Sequence, residues 1–485
     1  MTTIARDRQR RQSRLSRRQR RRQRKTQQRV RRQLARLEAQ APTALRSFLQ
    51  AFAEAFTRPT YYRFFILVLA AVLTIGNHTV MNLLRTLGDL APGSSSSYRR
   101  FFSKRRWSLW RLARILAEQI IARFAATGSI YLAGDDTVDE HRGKKVFGKG
   151  RHRDPVRSSH SYTAFRYGHK WVVLAILVRL PFATRLWALP VLVVLYRSPA
   201  KDPKQRRRHK TPAQLMRQML KVMLHWFPQR HFIFAGDGGF GTHELARTAA
   251  KRPRRLTLVS RFYADANLSA PPPPRCGQKG RPRVKGAKLP SPAQVVAETT
   301  KRQKLNVAWY GGGRRDVEVV TGMAHWYQVG EGLTQILWLY VHDISGTHRD
   351  DYFFTTDVSL SAQEVIETFT GRWSIETTFQ EMRAYLGLET TRGRCAQTVL
   401  RVAPCLFGLY SIVAVLYTQL PKRYRLRRLI DWPGKEVVTF SDAITTVRRW
   451  LWQEWVFGIP GHREAFAKLA LPFRQLVLCG LAPTS

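Results

Sequence analysis

Between residues 129 and 260 the apolar segments follow one another in an order that few folds can use. Residues 129–136 are short and apolar and end in Asp135 and Asp136. Residues 162–180 and 188–196 are rich in Val, Ile and Leu, are punctuated by Pro181 and Pro190, and read as two further strands of a meander. Thr211 and Pro212 then open a helix over 214–227, an N-cap followed by proline at the first helical position. A strand at 231–235, a helix at 242–250 and a strand at 255–260 complete the run.

Strand, strand, strand, helix, strand, helix, strand is the order of the RNase H-like fold, so the predicted class is α/β with such a core. The pattern then breaks at the four prolines 271–274 and a basic Gly/Pro stretch reaching Pro290, with strand-like segments near 316–321 and 335–342. Helical periodicity returns over 361–386, and the remainder is mostly helical. The organisation expected is a disordered basic arm at 1–40, a helical DNA-binding region at 41–128, the first part of the core at 129–260, and a β-rich insertion at 261–350. The second part of the core follows at 351–395, with a helix carrying Glu376, and then a helical C-terminal region at 396–485.

The 485 residues carry 83 Lys plus Arg against 32 Asp plus Glu, a formal net charge of +51. Self-repulsion on that scale is relieved by a polyanion, which makes nucleic acid the leading partner. Residues 1–36 hold 16 of the cations and one acid, yet the rest of the chain stays strongly basic, so a binding surface is expected on the folded body as well. Tyr98, Phe101, Phe102, Trp107 and Trp110 alternate with Arg and Lys, a pattern that suits either DNA contact or an amphipathic core helix with snorkelling arginines. Four cysteines, Cys276, Cys395, Cys405 and Cys479, lie too far apart for a zinc ribbon or redox pair, and the Arg-rich start lacks the apolar stretch of a secretory signal. A reducing cytoplasm, in association with the nucleoid, is the expected location. The uncharged run 402–420 approaches the length of a membrane span, but Pro404, Gln419 and its small residues fit a buried helix better, and no membrane is expected.

Cutting a phosphodiester with two divalent metals requires carboxylates brought to one point, because ions roughly 3.5–4 Å apart must share ligands while holding the attacking and leaving oxygens. Asp135 and Asp136 end the first strand, Asp237 ends the fourth in Ala-Gly-Asp-Gly-Gly-Phe, and Glu376 lies on the helix after the insertion. In an RNase H-like sheet the first and fourth strands are neighbours, so these ends meet. Adjacent strand residues face opposite ways, so one of Asp135 and Asp136 is expected in the cleft. On a helix over 361–386, Arg372, Glu376 and Arg383 fall within a narrow arc that Phe369 extends, while Ile375, Phe379, Met382 and Leu386 form a second stripe. A carboxylate between arginines suits a metal ligand among phosphate clamps, or an intrahelical ion pair.

At these residues the chain resembles the bacterial insertion-sequence DDE transposases with an inserted β domain, the YREK group. The likeness is carried by Gly-Asp-Asp-Thr, by Asp-Gly-Gly-Phe 102 residues later, and by Gly-Arg-Trp-Ser-Ile-Glu with Phe-Gln-Glu-Met-Arg 139 residues further on. The group's Tyr, Arg, Glu and Lys fall at Phe369, Arg372, Glu376 and Arg383, and its first motif favours Asp135 over Asp136. The resemblance implies a triad of Asp135, Asp237 and Glu376 holding two Mg²⁺ ions, for which Mn²⁺ can substitute. It further implies cut-and-paste movement of DNA by 3′-hydroxyl strand transfer, a homodimer assembled on double-stranded transposon ends and target, and Arg372 and Arg383 on the DNA. Base flipping in such relatives points to Trp309 or Trp326. Lys279, Arg281 and Arg283, within Gln-Lys-Gly-Arg-Pro-Arg, resemble a minor-groove hook or form a plain basic linker. The alternatives are an RNase H-like nuclease without strand transfer and a DNA-binding protein descended from a transposase.

Each arm cation releases a counterion on meeting a phosphate. Deleting residues 1–36 is therefore expected to weaken nonspecific DNA binding and flatten the slope of log affinity against log salt, as measured by fluorescence anisotropy, with sequence preference unchanged.

Overall fold

The computed structural model describes residues 3–154, 157–199, 209–274, 282–425 and 437–483, with side chains described at residue 19 and from residue 21 onward. Its centre is one eleven-stranded mixed sheet. The strands are β1 (Ile130–Glu140), β2 (Gly150–Arg153), β3 (Phe165–Arg179), β4 (Leu186–Tyr196), β5 (Phe232–Gly236) and β6 (Leu256–Arg261). They continue with β7 (Leu268–Ser269), β8 (Gln303–Ala308), β9 (Arg314–Gln328), β10 (Gly332–Asp343) and β11 (Asp351–Thr355).

β1 pairs antiparallel with β3, and β3 with β4, as the meander requires. β1, β5 and β6 run parallel, with the helices Pro212–Trp226 and His243–Ala250 making the connections. The first of these helices opens with the N-cap read from the sequence, a capping box in which Thr211 and Gln214 exchange hydrogen bonds. β2 and β4 share the outer edge of β3, β2 against residues 165–168 and β4 against 170–179. Gly134, one residue before the first acid, has no room for a side chain: an added Cβ would run into Phe234 and Met216.

The segment 261–350 does contain strands, but they are not a sheet of their own. β11 pairs antiparallel with β6, β10 with β11 and β9 with β10, so the central sheet continues through this segment. On one face of this extension Val259, Val307, Trp309, Val317, Leu339 and Phe353 form a compact core against Val365, Ile366 and Phe369. Trp309 is thus a core residue, and Trp326 packs edge-on against Phe262, Phe354 and His243.

The N-terminal segment also departs from expectation. Residues Thr3–Ala39 run as one helix, and its last turns are packed, with Leu34 and Leu37 buried and the Leu37 carbonyl accepting the indole N–H of Trp455 at 3.1 Å. Tyr98, Phe101 and Phe102 are buried as well, so most of the aromatic–basic segment is core, while Trp110 remains half exposed. Among the described residues one helix, Ala396–Gln419, is long and apolar enough to cross a membrane, and two thirds of its apolar window is buried in the protein. Ser411 within it donates to the Pro190 carbonyl at 2.8 Å, fixing it to the β4 strand.

One buried cation joins three helices. Arg448, on the helix Phe440–Leu451, donates to the carbonyls of Val72 at 2.7 Å and Thr74 at 3.1 Å, which end the helix Arg58–Leu73. It also donates at 3.3 Å to Tyr385, the last residue of the helix that carries Glu376. Helix ends leave such carbonyls without intrahelical partners, and the cost of burying the guanidinium lowers its pKa to about 10. Arg448→Met keeps the volume but leaves these acceptors unpaired, and should cost roughly 3–4 kcal/mol in urea unfolding.

Candidate active site

The parallel register of β1 and β5 ends at Gly134 opposite Gly236, so the next residues, Asp135 and Asp237, emerge side by side where the strands separate. Asp237 turns immediately: its Oδ1 accepts from the Gly239 amide at 3.1 Å, and its carbonyl accepts from Phe240 and Gly241 at 2.9 and 3.0 Å and from the Ser260 hydroxyl at 2.9 Å. Asp135 stays in the strand, its Oδ1 accepting from the Asp136 amide at 2.7 Å.

The third acid arrives through a junction that a plain helical wheel does not anticipate. Instead of one helix over 361–386, there are two, Ala362–Gly371 and Ser374–Tyr385, joined at Arg372 and Trp373. Across the junction the amides of Arg372, Trp373, Ile375 and Glu376 bond to carbonyls three residues back, the tighter 3₁₀ pattern, which advances each residue by about 120° instead of 100°. Phe369 is thereby rotated into the core, 4.4 Å from the Phe353 ring and buried, and does not share a cleft face with Glu376.

Arg372 is the residue on which this junction closes. One end of its guanidinium donates to Asp135 Oδ2 and the other to Glu376 Oε1, each at 3.0 Å, and the residue is 7% exposed. The sequence led us to expect a phosphate clamp; the structure places Arg372 between two of the expected metal ligands. Arg383 is also committed, to Glu389 at 3.1 Å, to the Thr137 hydroxyl and to the Val138 carbonyl at 3.3 Å, so it ties the helix to β1. Further bonds hold the same helix: the Thr378 hydroxyl donates to the Ala188 carbonyl of β4 at 3.0 Å, and Glu381 accepts from Arg185 at 3.2 Å and Tyr410 at 2.6 Å.

Burial is the largest influence on Asp135 and pushes its pKa up to about 7; Arg372 opposes this, and the neighbouring Asp237 and Asp136 add to it. Asp136 points to a different partner, Lys170 at 2.9 Å, diagonally across on β3, and burial raises its pKa too. Of the two adjacent acids, Asp135 is the one that meets the Glu376 helix. Two groups escaped the sequence reading. Lys170 sits in an apolar strand with nothing to mark it as the partner of Asp136. Tyr310, beside Trp309, brings a phenol whose pKa is raised by burial and by Asp351, with Arg261 and Arg372 opposing. Of the basic hook, Lys279 and Arg281 lie outside the described residues, and Arg283 is exposed.

Carboxylates from β1, from the residue after β5 and from a helix approach one another where two parallel strands part; an all-oxygen donor set of this kind suits a hard divalent cation, and close-packed acids call for positive charge. The chain belongs to the DDE superfamily endonucleases, whose family model matches residues 51–316. A second family, described as "Archaeal putative transposase ISC1217", matches residues 292–399, and the enzyme is of the DDE transposase kind. Among solved structures it is similar to piggyBac transposase in a synaptic complex with hairpin DNA, at 11% identity over 88% of this chain and 77% of that one, with a TM-score of 0.38. No curated protein matches the chain.

A carboxyl whose folded pKa is raised favours folding below its unfolded pKa, near 4, and loses that contribution as pH rises through the folded value. In metal-free protein, stability should therefore decline between about pH 4 and pH 7 through Asp135. Whatever its offset from loss of the Arg372 pair, the melting temperature of Asp135→Asn should lack this decline, so its difference from the unmodified chain should shift in the variant's favour as pH rises from about 4 to 7, as read by circular dichroism in EDTA.

Proposed function

We propose that this chain moves a DNA segment by cut and paste, with Asp135, Asp237 and Glu376 as the catalytic acids. The observation that carries this reading is the double ion pair of Arg372, which joins the middle of β1, where β5 parts from it, to the Glu376 helix. The strand order β4-β3-β1-β5-β6, antiparallel then parallel, supports an RNase H-like core, and the strands between β6 and β11 support an insertion of the YREK kind. Arg372 and Glu376 match that group, Arg383 keeps the charge, and Phe369 departs from it.

Two Mg²⁺ ions, or Mn²⁺ in their place, would be held by the three carboxylates and would supply an activated water and charge stabilisation at the cleaved phosphate. The protein's part is to fix these acids on rigid elements: the middle of one strand, the end of its neighbour, and a helix tied down at Thr378, Glu381 and Arg383. Arg372 balances the charge of Asp135 and Glu376 here; were those acids to hold cations, its guanidinium would be available to donate to a phosphate oxygen, the clamp role expected from sequence. Double-stranded transposon ends and target DNA are the substrates, a homodimer on DNA supplies one centre per end, and the cytoplasmic nucleoid is the setting.

Glu376→Gln removes an anionic ligand without changing size. Cleavage of a plasmid carrying the element's inverted repeats should fall by several orders of magnitude while end binding in a mobility-shift assay persists. Asp135→Asn and Asp237→Asn should behave alike, and Asp136→Asn should do less damage. Undiminished cleavage by Glu376→Gln would refute the triad, and cut ends never joined to a target would leave a nuclease without strand transfer.

A further inference from the structure

Four residues beyond Asp135 on the same face of β1, roughly 13 Å along the strand, lies a second cluster of ligand-type side chains. Asp139 on β1 stands directly opposite His169 on β3, and His141 follows two residues later. Asp139 and His169 are buried, and the His141 side chain is 8% exposed. The carboxylate approaches both rings, Oδ2 at 3.3 Å from His141 Nε2 and Oδ1 at 3.5 Å from His169 Nδ1. One donor atom from each of the three residues falls within a sphere of contacts no wider than 4.8 Å.

The hydrogen bonding of His169 makes this more than a packed pair of rings. Its Nε2 lies 2.9 Å from the Phe147 carbonyl, which can only accept, so that nitrogen carries the hydrogen. In the neutral ring Nδ1 then presents a lone pair to a carboxylate that is itself an acceptor. The facing oxygen, Asp139 Oδ1, already accepts from the His169 amide at 3.1 Å, which fixes the carboxylate in place, and a cation between ring and carboxylate, either a proton or a metal, would satisfy the two facing lone pairs. A ring nitrogen donating to a backbone carbonyl while the other faces the ligand position is how metal-binding histidines are oriented. The spacing also fits: with bonds of about 2.0–2.1 Å, ligand atoms at a tetrahedral zinc stand roughly 3.3–3.4 Å apart.

We propose that Asp139, His141 and His169 form a binding site for a borderline divalent cation, zinc by preference, separate from the carboxylate centre and with its remaining position left to water. Two imidazoles and one carboxylate select zinc or a neighbouring transition metal over magnesium, which prefers all-oxygen surroundings. His141 also lines a cleft with Arg142, Arg392 and Arg394, which gives the ion a path from solvent. Loaded, the site would staple β1 to β3 just beyond Asp135. It would also secure the loop from His141 to Phe147, whose far end is already held by the Phe147 amide donating to the Arg394 carbonyl at 3.0 Å.

The test is a zinc titration of full-length, chelator-stripped protein against a chromogenic competitor, with Co²⁺ absorption as a report of tetrahedral geometry. The unmodified chain should take up one tight zinc and melt at a higher temperature with it. His141→Ala, the substitution least disruptive to the core, and His169→Ala should each weaken that uptake at least ~100-fold and abolish the thermal shift. Asp135→Asn and Asp237→Asn should retain it, which keeps the outcome independent of the triad. Absence of tight zinc in the unmodified chain would overturn the proposal, as would equal uptake by a His141→Ala protein that melts cooperatively; the cluster would then be bridged by protons.

Discussion

The candidate site depends on one guanidinium placed between two carboxylates. Arg372 links the middle of β1 to a helix that begins more than two hundred residues later in the chain, and does so from the turn that joins two helices. Its burial would be unfavourable with either acid missing, because an uncompensated buried charge is far costlier than the pair is favourable. The junction, the strand end and the helix therefore specify one another. A 3₁₀ turn that would be a weak point in an ordinary helix is here fixed from both sides.

The core of the fold was legible because its signals are local. Strands β3 and β4 announce themselves through runs rich in Val, Ile and Leu, and the helix after Thr211 through its cap and its proline, so the element order around Asp135 and Asp237 could be written from the sequence. The neighbourhood of the acids was legible for the same reason, although the sequence had Asp135 and Asp136 end a strand that in fact runs on to Glu140. What the sequence hid was long-range. Nothing near Lys170 marks it as the partner of Asp136, and the pairing of β11 with β6, which merges the insertion into the core sheet, depends on residues about ninety positions apart.

The junction at Arg372 was hidden for a different reason. Helical periodicity assumes a constant turn per residue, and a few residues of tighter winding change the phase of everything upstream. Phe369 was placed beside Glu376 on that assumption, and the structure puts it against Phe353. The aromatic–basic segment around Tyr98 shows the complementary limit: alternation of rings and cations fits a core helix and a nucleic-acid surface equally, and burial decides for Tyr98 and Phe101.

The continuity of the sheet has a mechanical meaning. Where a domain is inserted through two flexible strands of chain, it can swing as a lobe. Here β6, β11, β10 and β9 are hydrogen-bonded in sequence, so a hinge between the two halves of the sheet would have to tear a ladder of backbone bonds. Whatever the insertion touches is consequently held at a set distance and angle from Asp135 and Asp237. The two parts of the sheet thus act as one rigid jig, and anything that contacts both is aligned by the sheet itself.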